Sequence, residues 1–398
     1  MGDGFLKTVD DCGVTGDFGL RTLWDLPKFP LTESFGQYSP DFETFPQELV
    51  ISTTSGHVQL RHQLNPSFLY GQSTYSYKTG SSAKIKRELD FLVEFIGELT
   101  SARPPDHVFE FGANDLTLAK RLSQFANQVT VCDPLLPEQI EDVPRNLHCI
   151  RKTVEESLSD LQFENIDLVI ARHTLEHIPQ PIDLLLKLQE FTSRNCVFIF
   201  EVPSLDHLVK SLRFDSIIHQ HLHYFDLDSV HSLAKSCGMH VVSHTYNDQG
   251  SNGGSLLFAL AWGSSQQIYY QKSVDRKTEL IFNAISDFER HMDRNRDLIS
   301  SATQPIFGFG AALMLATLDY HLGGVLENLD CVLDDDPLKH GIKYRNVNVE
   351  VTSTSFFTPP PDSIFFITSL ENIDSIKHWI EIYIPRRIIV PVFKQESV

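Results

Sequence analysis

The sequence has no Cys-x-x-Cys pair, no Gly-x-Gly-x-x-Gly run, no dense Lys/Arg block and no long apolar stretch. Each absence narrows the function. The six cysteines, Cys12, Cys132, Cys149, Cys196, Cys237 and Cys331, are scattered, and a chain of 398 residues needs no disulfide staples. A reducing compartment, and so a cytoplasmic protein, is the simpler expectation. No apolar run approaches the ~20 residues a membrane-spanning helix needs, and no basic-plus-apolar segment reads as a signal peptide. Basic residues number 33 against 52 acidic ones, a net charge of −19 with His neutral. Such a surface repels phosphate backbones and anionic lipid heads, so neither nucleic acid nor membrane is an expected partner. A small anionic ligand stays open, because N–H groups at a helix start hold a phosphate whatever the net charge.

What is present is an ordinary globular mixture, 41% hydrophobic and 21% charged, which excludes a disordered tail, a collagen-like repeat and a coiled coil. At roughly 150 residues per domain the length suggests two or three domains. The first ~80 residues carry short β-like runs, Glu48 to Ser52 and His57 to Leu60, between Gly, Pro and Ser/Thr clusters. Ala83 to Leu99 has helical periodicity. From His107 the pattern alternates. His107–Phe111, Gln128–Cys132, Ile166–Ile170 and Cys196–Phe200 read as strands, and Leu116–Phe125 and Asp183–Phe191 as helices. Alternation of this kind predicts an α/β fold with a parallel sheet covered on both faces. Gln266 to Ile299 reads as a long amphipathic connector helix. After it come strands at Pro305–Gly308, Leu329–Leu333, Ser363–Ile367 and Arg387–Val390. The division expected is a small irregular module over 1–80, an α/β domain over 81–265, a connecting helix over 266–300 and a second α/β domain over 301–398.

Glu110-Phe111-Gly112-Ala113-Asn114-Asp115 ends a strand and opens a helix. A glycine there lets the backbone approach a ligand, and the helix start is electropositive. Asp133 closes the next strand, where an acidic residue about 20 positions on grips ribose hydroxyls. Alone, this pair favours a nucleoside-type ligand only slightly over a tight turn beside an unrelated acidic strand end.

That segment resembles the glycine-rich first motif of class I S-adenosyl-L-methionine (SAM) methyltransferases, in the Gly-x-Asn-Asp form of the sugar-nucleotide C-methyltransferases. The resemblance continues, in order, through Ala171 to Ile178, Phe200-Glu201-Val202-Pro203, Phe214 to His221, Tyr224-Phe225, Asn252-Gly253-Gly254-Ser255, Gly308 to Ala311 and Asp334 to Gly341. It implies a Rossmann-like methyltransferase sheet and a C-terminal Rossmann-like domain. It implies SAM as cofactor, and as substrate a nucleotide-linked keto-deoxysugar methylated on carbon. By resemblance Glu110, Gly112, Ala113 and Asn114 line the cofactor site, Asp133 holds the ribose, and Arg172 and His173 flank the adenosyl or methionyl part. Leu116 stands where the family usually has Gly.

His219-Gln220-His221-Leu222-His223-Tyr224 is dense in groups that move protons. As a strand, the three histidines would share one face. As a loop they would converge. Read from the residues alone, the cluster is a base, a metal site that wants a carboxylate or thiolate, or a polar edge. The resemblance selects His221 as the base that removes the proton beside the ketone, with His219 and Gln220 next to it. Ile218 and Gln220 replace a Tyr and a Glu of the family. Methylation of oxygen or nitrogen, or a non-catalytic binding homologue, therefore stays open. Tyr77 and Tyr75 are matched to family tyrosines that face the sugar, and Glu201, Tyr224, Asn252, Gly253, Ser255, Gly310 and Ala311 are further substrate contacts.

The family usually begins with a zinc module of two Cys-x-x-Cys pairs. Here Cys12-Gly13-Val14-Thr15 and Ser52-Thr53-Thr54-Ser55 occupy those positions. Hydroxyls are poor zinc ligands. The expectation is a metal-free module held by packing, with Phe29, Leu31, Phe35 and Phe45 in its core; the rival is a metal recruited by Cys12 and His57. The expected assembly is a monomer or homodimer.

Overall fold

The computed structural model of the chain describes residues 5–32, 35–71, 83–137, 140, 142–160, 165–265, 269–355, 357–383 and 385–392. The N-terminal strands are β1 (Leu6–Thr8), β2 (Leu20–Pro30), β3 (Thr44–Ser52), β4 (Val58–Leu60) and β5 (His62–Leu64), followed by helix α1 (Pro66–Gly71). The antiparallel β2–β3 ladder runs from Leu20 opposite Ser52 to Pro30 opposite Thr44. Sequence patterning does not reveal β2, for a physical reason. Its register shifts twice, between Thr22 and Trp24 and between Leu26 and Phe29, so the period of two that marks a half-buried strand is broken.

Helix α2 (Ala83–Thr100) buries Ile85, Leu89, Leu92 and Ile96 on one face. Then come β6 (His107–Phe111), α3 (Thr117–Leu122), β7 (Gln128–Cys132), β8 (Leu147–Ile150), α4 (Val154–Ser157) and β9 (Ile166–Arg172). These are followed by α5 (Pro181–Leu188), β10 (Thr192–Pro203), α6 (Leu205–Ser211), β11 (His223–Tyr224), α7 (Leu227–Ser236), β12 (Met239–Asn247) and β13 (Ser255–Trp262). A seven-stranded sheet has the order β12-β13-β10-β9-β6-β7-β8. The strands β8, β7, β6, β9 and β10 run parallel, and β13 inserts antiparallel beside β10. Strand β6 is buried throughout, the signature of a parallel strand covered on both faces. The chain builds outward from β6 to β8, then reverses to β9 and β10. The carboxyl ends of β6 and β9 are therefore the switch point where α/β sheets bind ligands. Strand β11 leaves this unit and pairs with β4, giving a second sheet of order β11-β4-β3-β2.

Helix α8 (Val274–Ser301) begins several residues later than its periodicity predicts, because the segment before it is docked: Tyr269 Oη and the Lys272 N–H donate to Asp228. The last strands and helices are β14 (Ile306–Phe309), α9 (Leu315–His321), β15 (Cys331–Asp334), β16 (Val351–Ser353), β17 (Ile364–Ile367), α10 (Ile373–Glu381) and β18 (Arg387–Ile389). They form a parallel sheet of order β16-β15-β14-β17-β18. One apolar cluster joins Leu23, Phe29 and Ile51 to Phe288 of α8 and to Leu333 and Phe366 of the last sheet. Phe29, expected in a core of the N-terminal module, therefore lies in a core shared with the C-terminal lobe.

Candidate active site

The turn after β6 is shaped by backbone need. Gly112 has φ 74°, and a Cβ there would lie 2.0 Å from Thr174 Oγ1, so only glycine fits. Its N–H donates to the Cys132 carbonyl at 2.9 Å. The backbone N–H of Asn114 donates to Asp133 Oδ2 at 2.9 Å, and that of Leu135 to Oδ1 at 2.7 Å. Asp133 is thus clamped at the tip of β7 with carboxylate lone pairs to spare. Leu116 takes φ 63°, the conformation glycine would hold in the family pattern. The left-handed backbone costs a leucine about 1–2 kcal/mol. Its side chain is buried in the core with Ala113, Leu118 and Leu122, which offsets that cost. Glu110 is 2% exposed, and its Oε2 has no hydrogen-bond partner. Burial pushes its carboxyl up to about 8, with Asp133 and Asp115 acting the same way and Arg172 opposing.

At the tip of β9, Arg172 donates through Nε to Glu201 Oε2 at 2.8 Å and through Nη2 to Glu88 Oε2 at 2.6 Å. Ser255 Oγ donates to Glu201 Oε1 at 2.7 Å, and Ser251 Oγ to Glu88 Oε1 at 3.0 Å. Arg172, expected at the cofactor, and Glu201 and Ser255, expected at the sugar, are bonded into one buried cluster with Glu88. His173 has φ 47°, and its N–H donates to the Glu201 carbonyl at 2.8 Å. Its Nδ1 lies 3.5 Å from Glu176 Oε1.

The three histidines of the 219–223 segment neither share a strand face nor converge, which corrects both sequence expectations. Only His223 and Tyr224 are in a strand. His219 Nδ1 takes a hydrogen bond from Gln47 Nε2 at 3.1 Å, and its Nε2 donates to the Phe29 carbonyl at 3.3 Å, so neither nitrogen is left for proton transfer. Burial lowers it to about 4. His223 donates through Nε2 to the Ile178 carbonyl and lies 3.0 Å from His57 Nε2 through Nδ1. Gln220 accepts from Thr32 Oγ1 at 3.1 Å, away from His221. Tyr224 Oη accepts from the Ile218 N–H at 3.3 Å, so the phenol closes the loop on itself.

His221 alone turns to the carboxyl end of β9. Its ring centroid is 5.0 Å from that of His177, and both lie beside Glu176. Burial pushes His221 down to about 3, with His177 adding to the effect and Glu176 opposing it. Burial alone would raise the Glu176 carboxyl, but His173, His177 and His221 hold it down to about 2. The loop therefore presents a neutral imidazole next to an ionised carboxylate. Glu176 and His177 were not singled out from the sequence. The signal was there in principle, a Glu-His pair directly behind a buried strand, yet only the fold carries His221 to it.

Elsewhere the expected contacts are spent locally. The backbone N–H of Asn252 donates to Glu371 Oε1 at 3.1 Å, and Gly253, at φ 91°, packs on Ser211 and Arg213. In the C-terminal lobe the Ala311 N–H donates to Asp334 Oδ2 at 2.7 Å, as Asn114 does to Asp133. There the turn is filled by its own domain. Lys339 Nζ reaches Asp334 and the Ala311 carbonyl, and Thr368 Oγ1 reaches the Gly310 carbonyl at 2.7 Å. Tyr75 and Tyr77 lie outside the described residues. At the N-terminus Cys12 Sγ is 3.3 Å from Ser55 Oγ and His57 is engaged with His223. Among the described residues, the one group of His, Cys, Asp and Glu close enough to share a metal is Glu176, His177 and His221.

The β6 turn fits S-adenosyl-L-methionine. The unpartnered Oε2 of buried Glu110 suits a ligand that brings a hydrogen-bonding group, a turn with no room for a Cβ suits close backbone approach, and the clamped Asp133 suits a ribose diol.

Comparison with known proteins agrees with this geometry. Residues 82–244 match the profile of a family described as "Methyltransferase domain". The chain is similar to the C-methyltransferase NovU of Streptomyces niveus, 26% identical over 278 residues. That alignment takes in 66% of this chain but only 63% of the relative's length. Among solved structures, the chain is similar to the N-methyltransferase NodS from Bradyrhizobium japonicum WM9 in complex with S-adenosyl-L-homocysteine. The identity is 11% over 48% of this chain and 92% of that one, with a TM-score of 0.36. It is also similar to the Burkholderia thailandensis 1,6-didemethyltoxoflavin-N1-methyltransferase, 15% identical over 50% of this chain and 84% of that one, with a TM-score of 0.37. Residues 82–244, which match that domain profile, hold the parallel strands β6 to β10 of the seven-stranded sheet.

Proposed function

We propose that the chain is a SAM-dependent methyltransferase that methylates a carbon next to the ketone of a nucleotide-linked deoxysugar. The observation that carries this reading is the placement of His221. It is a neutral imidazole, delivered by the 218–222 loop to an ionised Glu176 behind β9. Glu110, the Gly112–Asn114 turn and Asp133 would hold SAM, which when bound would supply an electrophilic methyl group on a sulfonium. His221 would take the proton from the carbon that the ketone acidifies, and the electron pair left on that carbon would bond to the methyl carbon as the methyl–sulfur bond breaks, its pair staying on sulfur in the departing neutral thioether. An imidazole held this far down is a weak base. The step therefore depends on positioning, and on Glu176 to stabilise the imidazolium that forms. Tyr77 is assigned to the ketone oxygen and Tyr75 to the rest of the nucleotide-sugar. The chain divides at about residues 80, 265 and 300, works in the cytoplasm and needs no nucleic acid or membrane partner.

The loss of the family's Tyr and Glu favours a second reading. Ile218 is buried and Gln220 faces Thr32, so neither polarises a ketone at His221. Transfer to oxygen or nitrogen of a related molecule would need less help. The two readings separate on substrate deuterium. Incubated in deuterated water, the keto-sugar should gain deuterium at the methylated carbon in the presence of the protein, and His221→Asn should stop both exchange and transfer while SAM affinity is kept. Full transfer by His221→Asn would remove the base from the account.

A further inference from the structure

Glu176, His177 and His221 each bring one ligand atom to within 4.8 Å of the others. Glu176 is 1% exposed, and neither of its carboxylate oxygens has a hydrogen-bond partner. His177 Nδ1 lies 2.7 Å from the Gln220 carbonyl. A carbonyl only accepts, so Nδ1 carries the proton and Nε2 carries a lone pair. That Nε2 lies 4.0 Å from Glu176 Oε1. One ring nitrogen of His221 lies in the same group, and its ring centroid is 5.0 Å from that of His177. Two imidazole nitrogens and a carboxylate thus face one another. His173 Nδ1, 3.5 Å from the same carboxylate, offers charge without closing a hydrogen bond. A buried group of acceptors is satisfied by a cation.

We propose that this cluster is a binding site for one borderline divalent cation of the zinc or cobalt kind, held by the Glu176 carboxylate, His177 Nε2 and one ring nitrogen of His221. Two imidazoles and one carboxylate, with a fourth position open, is a ligand set zinc accepts. Ligand bonds of about 2.0–2.2 Å would draw the three atoms to roughly 3.5 Å of one another, a small contraction for side chains at the ends of a loop and a short turn. The Gln220 carbonyl is the outer partner that fixes the tautomer and aim of His177. The His177 side chain, 26% exposed, gives the ion a way in. Asp215 and Asp226, the carboxylates nearest in sequence, are paired with Arg213 and Lys277 and take no part. The inference rests on the same cluster as the proposed reaction. Proton and cation use one nitrogen of His221, so a bound cation silences the base and inhibits methyl transfer.

The test uses the full chain, stripped with a chelator and titrated with Co²⁺ alone, followed by the visible d–d absorption of bound cobalt, with Zn²⁺ titrated calorimetrically. One equivalent should bind. Affinity should fall at least about tenfold in Glu176→Gln and in His221→Asn. Methyl transfer should decline as the site fills and return with chelator. His177→Asn, which changes a partly exposed ligand, keeps the test decisive if loss of the buried carboxylate prevents folding. No saturable cobalt signal, or a signal unchanged in all three variants, would overturn the site while leaving the proposed reaction standing. Binding that raises transfer would keep the site and overturn both its inhibitory role and His221 as base.

Discussion

Glu110 shows how much one buried carboxyl can report. The unfolded chain ionises it near its ordinary value of 4.5, whereas the folded chain keeps the proton until about 8. Between those values the unfolded state binds fewer protons, so this residue's contribution to stability is complete below the lower value and is lost as pH rises towards the upper one. Urea unfolding measured from pH 5 to 8 should show stability falling by about 1 kcal/mol per pH unit on this account, and Glu110→Gln should flatten most of that slope. An unchanged slope in the variant would mean that Glu110 is ionised in the folded chain. This residue was legible in the sequence because its neighbours along the chain define it: strand, glycine turn, then acid at the next strand end. Glu176 was not legible, because its meaning depends on His221, brought from a loop far along the chain.

At the scale of elements, strands β6 and β7 match their sequence reading residue for residue, because each is rich in Val, Phe or Thr and lies in regular parallel register with its neighbour. Strand β2, bent by its two register shifts, left no such mark. The N-terminal knuckles show the same divide. The sequence places hydroxyl residues at Ser52 and Ser55 but does not show what they bond. Thr15 and Gly16 N–H groups donate to the Cys12 carbonyl, and the Gly56 N–H to the Ser52 carbonyl. Ser52 Oγ accepts from the backbone of Thr54 and Ser55, at 3.3 and 3.1 Å, and Cys12 meets Ser55. Backbone bonds to the Cys12 carbonyl thus hold the first loop, and hydroxyl-to-backbone bonds at Ser52 help hold the second. Ser52→Ala removes the shared acceptor and should lower stability by about 1–3 kcal/mol, read as a drop in the thermal midpoint. No drop would assign the loop's shape to packing alone.

At the scale of the molecule, the lobes are joined by charge as well as by the shared apolar cluster. Glu371 of the C-terminal lobe pairs with Lys84 of α2 and, at 2.9 Å, with Arg213. Four residues along α2, Glu88 bonds Arg172 at the tip of β9. A polar chain therefore runs from the second lobe to Arg172 at the carboxyl end of the central sheet. Sequence periodicity gave the sheets but not this assembly, because side chains that pair across lobes leave no period behind.

The central claim is methyl transfer to carbon, and product structure tests it most directly. With ¹³C-methyl SAM and a panel of nucleotide-linked keto and amino sugars, NMR of the product should show the labelled methyl bonded to the carbon beside the ketone. A labelled methyl on oxygen or nitrogen would contradict the account, and would mean that Ile218 and Gln220 mark a changed reaction.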